Sequence, residues 1–276
     1  MSAENTYSFR NEKGELTPRK IQGVNKVGLK TLIKKEVSRF ISVYTQTVVA
    51  PVITTLLFYA VFALAFGGIT RTIGDLPYLE FLAPGLIMMT MVQNAFANTS
   101  SSMVIAKVAG NIVDVIMPPL SPTELFVGYV VGGILRGLMV GLVVAVVVAL
   151  FVGLNIHSIF HIVAFAVLGN MLLSSIGLAA GIWSQKFDHI AAVTNFLVTP
   201  LTFLSGTFYS ISQLPEIWKD LALFNPFFYM IDGFRYGFIG HADGNVMVGL
   251  FVLLLANLLI SVLTLGMLKT GYKMKS

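Results

Sequence analysis

The chain has 276 residues, of which 56% are hydrophobic and only 11% charged, with a mean hydropathy of +0.83 and a formal net charge of +5. A water-soluble chain carries about 25% charged residues, so there is too little charge here to coat a globule of this size, and the apolar surplus must face lipid. The absence of cysteine excludes disulfides, thiolate zinc sites, Fe–S clusters and a cysteine nucleophile.

Residues 1–28 read as a polar tail, basic and broken by Gly14, Pro18 and Gly23. No apolar run precedes Val48, which argues against a cleavable signal peptide. Residues 29–46 have the pattern of an amphipathic helix: Leu29, Leu32, Ile33, Val37, Phe40, Ile41 and Tyr44 fall on one stripe. Lys30, Lys34, Lys35 and Arg39 lie off that stripe, where they can reach anionic headgroups. Such a helix serves either as a membrane-surface anchor or as a docking platform for a partner.

A membrane-spanning helix needs about 20 apolar residues. Six runs qualify: 48–66, 81–105, about 125–153, about 159–183, 190–208 and 246–268. The expected fold is therefore an all-α polytopic membrane protein. It has six transmembrane helices, an amphipathic interfacial helix at its N-terminal side, and a re-entrant helical hairpin between helices 5 and 6. Fourteen basic residues fall on the side of the two termini, against Arg71, Lys219 and Arg235 on the other. The positive-inside rule then makes both termini cytoplasmic. This placement explains the net positive charge without a nucleic-acid partner.

Between the second and third spans, Val108, Ile112, Val115 and Ile116 alternate with Lys107, Asn111 and Asp114 at helical spacing as far as Met117. Pro118 and Pro119 stop that helix. Ser121-Pro122-Thr123-Glu124 is a capping box with proline at the first helical position, so a new helix begins at Pro122. A short exposed helix in this loop suits force transmission, and an ordinary capped loop fits equally.

The third span carries two small-xxx-small registers, Gly128/Gly132 and Gly133/Gly137/Gly141, which let helix backbones approach closely without saying whose. Arg136 sits among them; a central arginine costs about 2.5–3.5 kcal/mol on insertion scales. It either snorkels to the surface or meets an anionic headgroup or phosphate. The second span concentrates Gln93, Asn94, Asn98 and a Thr99–Ser102 run, with Asn94, Asn98 and Ser101 on one face. Asn170 and Ser174 pair on the fourth span, and Thr194, Asn195, Thr199 and Thr202 recur on the fifth, where Pro200 predicts a kink. These groups form interhelical hydrogen bonds or line a polar translocation route; for the route the residues are Gln93, Asn94, Asn98, Arg136, Asn195 and Thr199.

No enzyme chemistry emerges. There is no His-Glu-x-x-His and no Gly-x-Ser-x-Gly, and the pair His157/His161 has no carboxylate in its turn to complete a metal site. Gly23 and Gly28 are followed by Leu29 rather than lysine, so no P-loop is formed, and Gly74-Asp75 lacks the preceding glycine of an intramembrane aspartyl protease motif. No carboxylate lies within the six spans, which weakens a proton-coupled carrier. The chain is expected to hold no cofactor or metal, and any ATP hydrolysis must come from another chain.

Ten aromatic residues fall between Phe208 and Phe238, among them Trp218. Leu214-Pro215 opens a short helix that Asn225-Pro226 closes, and on the next one Asp232 and Arg235 stand close enough to pair. Backbone of this kind stays at membrane depth only where protein or a water cavity satisfies it, which favours a re-entrant hairpin over an interfacial loop.

The run from Thr199 through Pro200, Ser205-Gly206-Thr207 and Tyr209, followed by Leu214-Pro215, Asn225-Pro226 and Gly233-Phe234-Arg235-Tyr236-Gly237, resembles the ABC-2 type transport permease family, in particular its short bacterial inner-membrane members. Pro84-Gly85-Leu86-Ile87-Met88-Met89 and Gly128-Tyr129 extend the resemblance. It implies one transmembrane domain over 29–276 in the bacterial inner (plasma) membrane, working as a homodimer driven by a separate ABC-type ATP-binding subunit, which binds the ATP. It further implies that the ATPase meets the interfacial helix (Lys34, Arg39) and the loop helix (Lys107, Asn111, Asp114, Pro118, Ser121, Glu124). The hairpin with Trp218, Asn225, Pro226, Asp232 and Arg235 would close the external end. Family members export polysaccharides, lipid-linked glycans, drugs or other amphiphiles. The alternative expectation is a secondary transporter or channel that works without ATP.

Overall fold

In hydrocarbon every backbone N–H and C=O must be paired within its own segment, so apolar runs of this length fold as helices. The computed structural model describes residues 23–65, 72–73 and 76–274, and these are helical almost throughout. Expectations that rest on Gly14, Pro18, Phe66, Arg71, Gly74-Asp75, Lys275 and most of the basic tail lie outside the described residues.

Helix α1 covers Lys26–Ile41, α2 Ala50–Ala65, α3 Tyr78–Val108, α4 Ile112–Ile116, α5 Pro122–Ala149 and α6 Ile159–Trp183. Then come α7 (Phe187–Val193), α8 (Thr199–Phe203), α9 (Glu216–Phe224), α10 (Pro226–Ile239) and α11 (Val246–Thr270). A two-residue antiparallel ribbon, β1 Thr72–Ile73 and β2 Leu76–Pro77, pairs Thr72 with Pro77 and Ile73 with Leu76 just before α3.

Among the described residues five helices are long and apolar enough to cross a membrane: Thr45–Ala65, α3, α5, α6 and α11. The fifth expected span, 190–208, is not one regular helix. It is built from α7, a π turn over Thr194–Val198 and α8, of seven, five and five residues end to end. At 1.5 Å per residue this run reaches about 25 Å, short of a hydrocarbon core of about 30 Å. A second π turn, Thr45–Val49, leads into α2. In both, the residue after the turn donates five back (Ala50 to Thr45, Thr199 to Thr194) and is itself followed by proline, Pro51 or Pro200. The wider turn absorbs the clash that a proline ring imposes on the preceding helix. The chain then leaves the helix and reverses at Gly206, whose φ is +69°.

α3 is the central helix, packed by α2, α5, α6 and α10, and α1, which packs on α5, reaches it through side-chain hydrogen bonds. The two glycine registers of α5 resolve to different neighbours in the same chain. A Cβ on Gly128 would strike the Leu32 side chain and one on Gly132 would lie 2.6 Å from Glu36 Cβ, so this register receives α1. Gly133, Gly137 and Gly141 face Ser174, Asn170 and Met91, so the other register receives α6 and α3. By contrast, α2 leaves Ile53, Leu57 and Val61 exposed, and α11 leaves Phe251, Leu258 and Val262 exposed.

The loop helix is shorter than the spacing predicts. α3 runs on to Val108, the chain turns at Gly110 (φ +74°), and α4 holds only five residues. At α5 the capping box forms as expected: Ser121 accepts from the Glu124 amide, and the Glu124 carboxylate accepts from the Ser121 amide at 2.6 Å.

Candidate functional site: a polar seam along the central helix

α1 buries Leu32, Glu36 and Phe40, spaced one turn apart, while Ile41 and Tyr44 of the expected stripe remain exposed. The seam of α1 against α3 and α5 is therefore centred on a carboxylate. Glu36 is fully buried and accepts from Ser102 Oγ at 2.7 Å and from Arg39 Nη2 at 3.2 Å. Arg39, expected to point at lipid headgroups, turns inward instead: Nη2 donates to Asn98 O (2.7 Å) and Oδ1 (2.9 Å), and Nη1 to Ser101 Oγ at 3.3 Å. The spans themselves hold no carboxylate, as read from the sequence, but Glu36 reaches α3 from a helix outside them. Its position between Leu32 and Phe40 was the signal available in the sequence.

One turn along α3 from Asn98, Asn94 Oδ1 accepts from Arg136 Nη2 at 3.0 Å. Arg136 is half-buried and reaches sideways to α3. Asn94, Asn98 and Ser101, grouped on one face by spacing alone, thus meet the two arginines of α1 and α5. Asn170 and Ser174 are fully buried at the α5–α6 seam, and Ser174 O accepts from Thr99 Oγ1 at 2.8 Å.

Two pockets flank this part of α3. One of ≈290 Å³ lies between α2 and α3 and is edged by Gln46, Thr54, Thr55, Thr90, Gln93 and Asn94. The other, ≈220 Å³, lies between α3 and the α7–α8 run, with Gln93, Ser100, Ser101, Thr194 and Thr199. Gln93 lines both. Of the six residues expected on a route, Gln93, Asn94 and Thr199 reach a pocket, Asn98 and Arg136 stand behind the wall, and Asn195 is exposed and lines neither. A third cavity, ≈500 Å³ between α5, α6 and α10, is lined by Leu138, Leu142, Val163 and Phe234 and takes none of them.

At the α1 end, the Glu124 carboxylate also accepts from the Asn25 amide, and Asn25 caps α1, so the starts of α1 and α5 are tied together. Asn111, Asp114, Pro118 and Ser121 are exposed in and around α4, and Lys34 is exposed on α1. Lys107 is not free for a partner: Nζ donates to Gly181 O and Ser184 O at 3.1 Å each and to Ile182 O, closing the C-terminus of α6.

At the opposite end α9 exposes Ile217, Trp218, Leu221 and Phe224, whereas α10 is buried. Asn225 caps α10 through Phe227 N and donates to Leu201 O at 2.8 Å, with Pro226 at the first helical position. Arg235 is 1% exposed. It donates to Gly206 O (2.6 Å) and Phe81 O (3.2 Å), lies 3.7 Å over the Phe81 ring and stands 3.7 Å from Asp232. Asp232 in turn accepts from the Asp243 and Gly244 amides at 2.9 Å each. The expected Asp232–Arg235 pair is present, and Asp243, which holds Ser210 and Ile211, is an addition the sequence did not mark.

A family model described as ABC-2 type transporter matches residues 27–239. The inner membrane transport permease YadH of Escherichia coli strain K12 is 37% identical over 217 residues, which is 79% of this chain and 85% of that one, and the Shigella flexneri YadH matches equally. Nodulation protein J of Rhizobium leguminosarum bv. viciae is 26% identical over 95 residues, 34% of this chain and 36% of the relative. With a family match over most of its length, a close permease relative and five apolar helices around a polar seam, the chain belongs to the ABC-2 type transporter family, as the membrane permease subunit of an ABC transporter.

Proposed function

We propose that this permease exports an amphiphilic, glycan, lipid or drug-like substrate across the bacterial inner membrane as a homodimer with both termini cytoplasmic. Its power comes from a separate ATP-binding subunit, the kind of partner with which the family works. The observation that carries this reading is a continuous mechanical path. Exposed α4 leads through the Pro118-Pro119 turn to the Ser121–Glu124 box, Glu124 holds Asn25 at the start of α1, and Arg39 of α1 grips Asn98 of the central helix. A push on α4 from an ATPase therefore reaches the wall of both polar pockets. The α7–α8 run, continued by the chain that leads to Gly206, supplies the sixth crossing, and α9–α10 dips into the outer leaflet as a re-entrant hairpin that closes the route. The exposed apolar faces of α2 and α11 supply area for lipid and for the second copy.

Pull-down of the tagged chain from its own host membranes is expected to bring a P-loop ATPase in a one-to-one ratio, with hydrolysis that depends on both subunits. Liposomes holding the chain alone that accumulate a solute uphill would overturn the reading in favour of an ATP-independent carrier.

A further inference from the structure

We propose that Arg136 is the binding site for the anionic group, phosphate in the first instance, of an amphiphile that enters between α2 and α3. Calling this ligand the cargo rests on the exporter reading; its binding does not.

The argument starts from charge. Arg136 lies fourteen residues into α5, about 21 Å along an axis of 1.5 Å per residue, which is the middle of a helix of 28 residues. A membrane-embedded arginine is normally paired, because an unmatched charge in hydrocarbon is costly. Arg39 is matched by Glu36 at 3.2 Å. Among the described residues no carboxylate pairs with Arg136; its hydrogen bond goes to the neutral Asn94 amide, and its Nε is buried without a partner. The cluster of Glu36, Arg39 and Arg136 therefore carries one surplus positive charge.

Hydrogen-bond chemistry points the same way. Besides Arg136 Nε, the groups left unpartnered on the α1 side of α3 are Arg39 Nε, Asn98 Nδ2 and the Tyr129 hydroxyl, of which Asn98 and Tyr129 are fully buried, while Asn170 Oδ1 and Ser174 Oγ are unpartnered on the α6 side, against Gly137 and Gly133. The four groups on the α1 side can all donate, and an excess of donors around a surplus cation is complemented by an acceptor-only anion. Asn94 carries the site to the surface of the ≈290 Å³ pocket, where Gln46, Thr54, Thr90 and Gln93 offer further neutral polar contacts. A zwitterionic headgroup brings an ammonium to the same place, and the surplus charge disfavours it.

The test uses the purified full chain in uncharged detergent, titrated with phosphatidylglycerol, phosphatidylethanolamine or inorganic phosphate, and single bound lipids are counted by native mass spectrometry. The first phosphatidylglycerol is expected to bind at least tenfold more tightly than phosphatidylethanolamine. Arg136→Gln removes that preference. Asn94→Asp, which supplies the missing carboxylate in place and keeps the helix contact, removes it too, so the result does not hinge on whether Arg136→Gln folds. Lys30→Gln/Lys35→Gln, on the exposed face of α1, retains it. A preference that survives both Arg136→Gln and Asn94→Asp, or that is lost only with the surface lysines, overturns the site. Arg136-dependent binding of inorganic phosphate as tight as that of the lipid overturns the assignment to an amphiphile. None of these measurements involves ATP, so their failure leaves the ATPase reading standing, and the reverse holds as well.

Discussion

Arg235→Met isolates what holds the outer end of the bundle together. The substitution keeps the volume near the Phe81 ring but removes the donors to Gly206 O at 2.6 Å and Phe81 O at 3.2 Å and the charge 3.7 Å from Asp232. Breaking a buried ion pair from one side costs about 3–5 kcal/mol. Asp232 is not left bare, since two backbone amides still bind it, which places that part near about 3 kcal/mol. The stranded Gly206 carbonyl adds about 1 kcal/mol. Phe81 O adds little, because it is a helix carbonyl of α3 with a neighbour of its own. The expected loss is about 4 kcal/mol, and Arg235→Lys, a point charge that cannot bridge two carbonyls and cover a ring, is expected to lose about 2 kcal/mol. Unfolding in mixed micelles by titration with dodecyl sulfate, followed by circular dichroism, reads both. Adding Asp232→Asn to Arg235→Met should recover about 1–2 kcal/mol by removing the stranded charge. An Arg235→Met chain within 1 kcal/mol of an exposed Lys219→Met control would refute the reasoning (about 0.5 kcal/mol is the ordinary surface effect).

Glu36→Gln leaves Arg39 without its counter-charge and should cost about 1–3 kcal/mol, less than a full buried pair because Arg39 is 26% exposed and keeps Asn98. The double variant Glu36→Gln/Arg39→Gln should be no worse than the single, and a simple sum of two losses in the same titration would show that the groups are not coupled. Gly132→Leu drives a side chain into Glu36 and should destabilise by about 1–3 kcal/mol, whereas Gly266→Ala, with nothing within 4 Å, should be neutral; equal effects would refute the seam. Val113→Asp/Met117→Asp, at exposed positions on α4 and just after it, should cut ATPase recovery at least tenfold with the unfolding midpoint unchanged. Lys107→Met should do the opposite, lowering stability by about 1–2 kcal/mol through the uncapped end of α6 while the subunit that remains folded still recovers the ATPase.

The parts of this architecture that could be read in advance are those whose cause lies within a few residues. Ser121 and Glu124 fix the start of α5 by mutual hydrogen bonds three positions apart, and the 159–183 run ends where its apolar residues end. The parts that could not be read depend on partners far along the chain. Arg39 and Asn98 are 59 residues apart and Lys107 and Ser184 are 77 apart, and periodicity on either segment assigns both basic residues to a solvated face. The glycine registers of α5 were visible, yet nothing local tells that one receives α1 and the other α3 and α6. Three of the six segments that carried the family resemblance fall between these cases. Pro84-Gly85, Ser205-Gly206-Thr207 and Arg235 stand far apart in sequence, but a Cβ on Gly85 would lie 2.8 Å from Thr207 O and 3.2 Å from Arg235 Nη2, the same nitrogen that binds Gly206 O. They form one knot: glycine is required at position 85 by the approach of another backbone, and arginine at 235 by the Gly206 carbonyl that needs a donor and the Phe81 ring that it covers. A geometric requirement of this kind leaves a recognisable pattern in the sequence, whereas the pairing of Glu36 with Arg39 requires only opposite charges one turn apart and leaves none.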